Sequence, residues 1–179
     1  MIGVLVSGAG SNLQALIDDG LPVVAVASNN QSARALDRAR AAGIDAAAFP
    51  LDDYPGRHAR DTAMADWLAL RGVELVVTAG YMHLLTEPFL ERFPERIVNV
   101  HPSLLPAFPG AHAVEEALAA GVPETGATVH LVDAGVDTGP VLVQEPVPVR
   151  DDDTPETLHA RIQLVEHRLL PRAVRSLLA

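Results

Sequence analysis

The chain has 179 residues, 49% of them hydrophobic and 4% aromatic, which suits one domain or two fused halves with a core packed mostly by Leu, Val and Ala. It has no Cys, so a disulfide framework, thiolate metal sites and Cys nucleophiles are excluded. The net charge is −10 and all 13 basic residues are Arg, which argues against a nonspecific nucleic-acid binder; with no charged-then-apolar leader and no bilayer-length apolar run, a soluble cytoplasmic protein without nucleic-acid or membrane partners is expected.

Ile2–Val6 reads as a short apolar strand that runs through Ser7-Gly8-Ala9-Gly10-Ser11-Asn12 into the helical pattern Leu13–Ile17. Val23–Ala27 is a second strand ending at Ser28-Asn29-Asn30, and Ala33–Ala42 a helix closed by Gly43. Ala46–Phe49 follows as a third strand, Arg57–Leu70 as a long helix stopped by Gly72, and Leu75–Thr78 as a buried strand. Strands alternating with helices at this spacing imply βαβ units. The predicted fold is therefore α/β, three-layered, with a mostly parallel central sheet and helices on both faces.

Ile97-Val98-Asn99-Val100 is β-branched and apolar, a further buried strand, and Pro102 pushes His101 toward extended geometry and stops the ladder. Pro102, Pro106, Pro109 and Gly110 then make a long loop before the helical stretch Ala113–Ala120. Two strands, Ala127–Val132 and Val141–Val149, flank the segment Asp133–Pro140; Pro146 and Pro148 put the second at an edge or bulge. A last helix starts near Thr154-Pro155-Glu156, with Thr154 as N-cap and Thr157 where a capping box would want an acid. No repeat or disordered linker interrupts this pattern. A single domain with two halves, residues 1–98 and 99–179, is expected.

Three places carry chemistry. Ligands of open α/β sheets bind beyond the carboxyl ends of strands, where Asn99 and His101 lie one residue apart. They can act on one atom, or they can simply cap a strand end. Gly8–Asn12 joins strand to helix and is neither a P-loop nor a full dinucleotide fingerprint, since no Lys follows and Leu13 takes the place of a third Gly. It reads as a tight turn with Ser11 as N-cap, or as a monophosphate site on free helix amides. Asp137 reads as an Asx-turn residue, or as the carboxylate that orients and charges His101. Seven His contain no close ligand pair, so no metal is expected.

Together Asn99, His101 and Asp137 make a recognisable set, and the chain resembles the glycinamide ribonucleotide (GAR) formyltransferase family, which uses 10-formyltetrahydrofolate in purine synthesis. The likeness runs through Val4–Leu16, Ala79-Gly80-Tyr81-Met82, Asn99–Gly110, Val136–Pro140 and Gln163-Leu164-Val165-Glu166-His167. It implies a Rossmann-like formyltransferase fold, with a nucleotide-binding first half and a catalytic, folate-binding second half. It assigns Gly10, Ser11 and Asn12 to the ribonucleotide phosphate, with Glu166 near the ribonucleotide, and Asn99, His101 and Asp137 to catalysis. Arg57, Met82, His83, Leu84, Leu85 and Asn99 are assigned to the folate. His83 stands where an Arg is common, and Ala107 where a Lys is common.

The resemblance implies direct transfer without a covalent enzyme intermediate. The glycinamide amine attacks the formyl carbon, and Asn99 and a protonated His101 stabilise the oxyanion. His101 gives a proton to the leaving N10, and Asp137 takes one from the amine, through water. Formyl-folate is then a co-substrate, the other partners are small molecules, and the protein is a monomer or homodimer. Relatives that use water, an amino sugar or methionyl-tRNA as acceptor are the rivals. Those acting on water or tRNA carry an extra N- or C-terminal domain, which a chain of this span is expected to lack.

Overall fold

The computed structural model describes residues 1–179, which divide into two compact units, Met1–Val98 and Asn99–Ala179. In the first unit β1 (Ile2–Val6) leads to α1 (Ser11–Asp18), β2 (Val23–Ser28) to α2 (Arg34–Ala41), and β3 (Asp45–Ala48) to a single 3-10 turn at Leu51–Asp53. Then come α3 (Arg57–Ala69), β4 (Leu75–Thr78) and α4 (Glu87–Arg92). β2 and β4 flank β1 and β3 pairs with β2, all parallel, in a register that sets Leu5 opposite Ala27 and Thr78. Every residue of β1 and β4 is buried, so both strands are covered on both faces, as continuous apolar runs in a parallel sheet require. Gly3 lets α3 approach β1: a Cβ there would lie 2.9 Å from Leu68 Cδ2 and 3.0 Å from a Val73 methyl.

β5 (Ile97–His101) spans the boundary between the units. In the second unit follow α5 (Ala113–Ala120), the antiparallel pair β6 (Glu124–Leu131) and β7 (Val141–Pro148), and the 24-residue α6 (Pro155–Leu178). α6 packs on β6, β7 and α5, and its Leu158, Ile162, Leu169 and Val174 are buried. Strand order in the seven-stranded sheet is β3-β2-β1-β4-β5-β6-β7, which puts the proline-bearing β7 at an edge, where missing N–H donors cost no ladder bond.

Most boundaries fall within a few residues of the sequence reading, with instructive exceptions. The helix α4 was not anticipated. Six residues are too few for a periodic pattern, and its signal was only Thr86 at the N-cap with Pro88 in the first turn. α1 begins at Ser11 rather than Leu13, and its N-cap is Gly10 with no side-chain cap bond, so Ser11 is not the N-cap. The capping box of α6 is complete despite lacking an acid. Thr154 Oγ1 accepts from Thr157 N at 3.2 Å, while Thr157 Oγ1 accepts from Thr154 N at 2.9 Å.

Candidate active site

The turn after β1 is shaped by α2. Gly10 is left-handed at φ 77°, and Ala35 N donates to Gly8 O at 3.0 Å. Arg38 reaches back from the same helix, its Nε donating to Ala9 O at 2.7 Å and its Nη1 to Gln14 Oε1 at 3.3 Å. The carbonyls of the turn are thus held from behind. With no side chain capping it, the N-terminus of α1 can present its first amides to an anion. Ser11 is half-buried there and Asn12 buried. Arg57 is the exposed first residue of α3. After β4, Met82 and Leu84 are 65% and 54% exposed, and His83 and Leu85 are half-buried beside them.

In the second unit a different cluster forms at the end of β5. His101 is buried, and its Nε2 donates to Phe108 O at 2.8 Å, since a carbonyl only accepts. Its Nδ1 lies 3.4 Å from Asp137 Oδ2, so a proton placed there sits against a carboxylate. Asp137 itself adopts a left-handed backbone at φ 54°, and its Oδ2 also accepts from Gly110 N at 2.8 Å. The other carboxylate oxygen lies 3.6 Å from His130 Nε2. Burial pushes the Asp137 carboxyl up, but His130, the Gly110 N–H and His101 together outweigh it and hold the group below the usual carboxylate range. It is a carboxylate at neutral pH, an acceptor on both oxygens.

His130 is the residue the sequence reading missed. Its Nδ1 donates to Leu131 O at 2.9 Å, and its Nε2 lies 3.1 Å from the Asn99 amide nitrogen. The same Nε2 lies 3.6 Å from Asp137 Oδ1, so one ring nitrogen meets both the Asn99 amide and the carboxylate. An irregularity of the β6–β7 register between Val129 and His130 locally re-aims the strand there. The signal available in the sequence was a lone His in the apolar run Ala127–Leu131, which metal-ligand spacing does not test. The structure thus brings Asn99, His101 and Asp137 into one network with His130 as the fourth member. The Asx-turn reading fits Asp133 instead, whose Oδ1 accepts from Gly135 N at 2.9 Å. Glu166 is buried at 3% exposure on α6.

The loop that carries Phe108 is anchored by Thr128 on β6. The Thr128 hydroxyl donates to Ser103 O at 2.7 Å and accepts from Leu105 N at 3.1 Å; Gln144 Nε2 is a second donor to it at 3.0 Å. Leu105-Pro106 is a cis peptide in this loop, and Ser103 Oγ donates to Ala107 O. Thr128→Val keeps the shape and orphans a buried N–H and C=O. The expected cost is about 2 kcal/mol, or roughly 4–8 °C in melting temperature, measurable by calorimetry.

The sequence profile of the family described as Formyl transferase matches residues 1–174. This chain belongs to the formyl transferase family. Within and around that family it is 50% identical over 179 residues to a phosphoribosylglycinamide formyltransferase of Mycobacterium tuberculosis, covering 97% of this chain and 83% of the relative. It is similar to the crystal structure of glycinamide ribonucleotide transformylase 1 from Symbiobacterium toebii, with a TM-score of 0.96 at 50% identity over 97% of this chain and 85% of that one. A phosphoribosylglycinamide formyltransferase from Streptococcus pneumoniae TIGR4 matches with a TM-score of 0.96 at 41% identity over 99% and 98% of the two chains. The mostly parallel sheet with its helices is the fold of these formyl transferases. No helix of the chain is long and apolar enough to cross a membrane, and no three His, Asp or Glu side chains are grouped so as to hold a metal ion.

Proposed function

We infer that this formyl transferase moves the formyl group of 10-formyltetrahydrofolate to the amine of 5'-phosphoribosylglycinamide, giving N-formylglycinamide ribonucleotide and tetrahydrofolate in de novo purine synthesis. The observation that carries the reading is Asp137, an ionised carboxylate facing the imidazoles of two histidines, one of which also holds the Asn99 amide. That set supplies an acceptor and several donors, and no nucleophile, as transfer between two amines requires.

The amine nitrogen forms a bond to the formyl carbon, and the carbonyl electrons move to oxygen. Asn99 contributes an amide N–H to that oxyanion. The Nε2–H of His101 is engaged by Phe108 O, so the proton His101 has to give is the Nδ1–H facing Asp137. It passes to N10 as the C–N10 bond breaks. Asp137 takes the surplus proton from the attacking nitrogen through water, and His101 is reprotonated from the same carboxylate. Protons balance: one leaves the amine and one arrives at N10.

For binding, the uncapped turn of Gly10, Ser11 and Asn12 suits the ribonucleotide phosphate. Exposed Met82 and Leu84, with His83 and Leu85, suit the apolar body of formyl-folate, and exposed Arg57 suits its glutamate carboxylate. Asn99 is shared between folate and catalysis, and Glu166 is assigned to the ribonucleotide end. The test is an absorbance assay with 10-formyl-dideazafolate and either glycinamide ribonucleotide, an amino-sugar nucleotide or water as acceptor. Turnover is expected with the ribonucleotide; turnover only with another acceptor would replace this reading.

A further inference from the structure

A second polar network, wholly within the first unit, has no part in that chemistry. Arg60 and Asp61 on α3 are both fully buried, and Arg60 Nε donates to Asp61 Oδ1 at 2.6 Å. Arg60 Nη1 lies 3.2 Å from His83 Nδ1, and His83 Nε2 lies 3.3 Å from the side-chain amide of Asn29, which is 2.6 Å from Ser7 Oγ. The network closes on the segment after β4 at both ends. Met82 N donates to Ser7 Oγ at 2.9 Å, and Thr86 donates from both N and Oγ1 to Asp61 Oδ2, each at 2.8 Å. His83 is the one link between the α3 side and the β1–β2 side of this ring.

Counting donors fixes its state. A guanidinium only donates, so His83 Nδ1 accepts from Arg60, and a neutral imidazole then carries its proton on Nε2. Nε2 in turn needs an acceptor, which the Asn29 side chain supplies when its amide is turned so that the carbonyl oxygen faces His83; the NH2 then donates to Ser7 Oγ in place of the Ser7 Oγ to Asn29 Oδ1 bond. The charged and titratable groups around the ring agree. Burial, then the Arg60 and Arg57 guanidiniums, push His83 below the usual imidazole range, with Asp61 opposing. Tyr81, whose ring meets His83 edge-on at 5.9 Å, is pushed up to about 12 by burial and stays neutral.

We propose that neutral His83 is a positioning residue: by accepting from buried Arg60 and donating to Asn29 it locks residues 82–86, and so sets the affinity for formyl-folate without touching the transfer step. This rests on the assignment of that segment to the folate made above. An Arg60 deprived of its acceptor keeps a buried, unsatisfied N–H and pulls the two anchors of the segment apart.

His83→Ala is expected to raise KM for 10-formyl-dideazafolate about tenfold, the worth of one hydrogen bond to a charged partner, with kcat and the ribonucleotide KM within about twofold of wild type. His83→Gln, neutral with one acceptor and one donor, should recover most of the loss. A merely structural role would spread the damage over all three parameters and give no rescue. Amide exchange followed by NMR reads the lock without any substrate: the Met82 and Thr86 amides should exchange faster in His83→Ala and return toward wild type in His83→Gln. Unchanged exchange together with an unchanged folate KM would overturn the proposal. A wild-type protein that fails to formylate the ribonucleotide would instead overturn the functional reading, while the exchange experiment would still decide on His83.

Discussion

Asp137→Asn should lower kcat by about two to four orders of magnitude, the range that general acid–base groups contribute, while the protein stays folded. The substitution is nearly isosteric, and Asn tolerates the left-handed backbone at φ 54° as well as Asp does. Its amide oxygen can still accept from Gly110 N. What changes is the charge opposite His101 and the atom opposite His130, where Oδ1 gives way to an NH2. With Nε2–H committed to Phe108 O, the amide opposite Nδ1 can neither take the proton of the attacking amine nor return one to His101 for delivery to N10. A melting temperature within about 2–4 °C of wild type, equivalent to roughly 1 kcal/mol, would show that the loss is chemical. Near-normal kcat would remove Asp137 from the mechanism.

The same residue gives a pH signature. Because the Asp137 carboxyl is held below its ordinary value, its ionised form persists down into the acid range. Wild-type turnover should fall only as pH drops through that depressed value, and the limb should be missing from the residual activity of Asp137→Asn. A limb unchanged in the variant would assign it to another group.

The βαβ architecture was legible because β1, β2 and β4 are almost continuous apolar runs between turn residues, and Leu75–Thr78 was bounded to the residue. The pairing of Asn99 with His101 was legible for a local reason: Pro102 fixes the strand end. His130 was not, because its role depends on strand register, on an irregularity beside it, and on a loop that returns Asp137 from beyond the strand. None of these has a signature at fixed sequence spacing. The Arg60–Asp61–His83 ring failed to show for a related reason. Arg and Asp on a helix read as solvated charge, and only burial at 0% for both turns them into a structural pair that needs a third partner. Conversely, the acid expected in the α6 capping box was too narrow a rule, since a Thr hydroxyl can accept the same N–H.

Gly10→Val should be the most damaging change in the phosphate turn. An L residue at φ 77° costs roughly 1–2 kcal/mol of backbone strain, and a β-branched one resists that region most. There is also no room for it: a Cβ on Gly10 would come within 2.6 Å of Ala35 Cβ and 2.9 Å of Ala35 Cα. Backbone of α2 cannot yield as a flexible side chain can, so the turn must swing off Ala35 and take the first amides of α1 with it. Each amide that loses a charged partner weakens binding by about tenfold. KM for glycinamide ribonucleotide is therefore expected to rise roughly 10–100-fold, and KM for formyl-folate to stay close to wild type. The asymmetry separates this effect from general unfolding, which would degrade both. It also separates phosphate binding from a purely structural turn, because a turn with no ligand role would show the strain in the melting temperature and leave both KM values where they were.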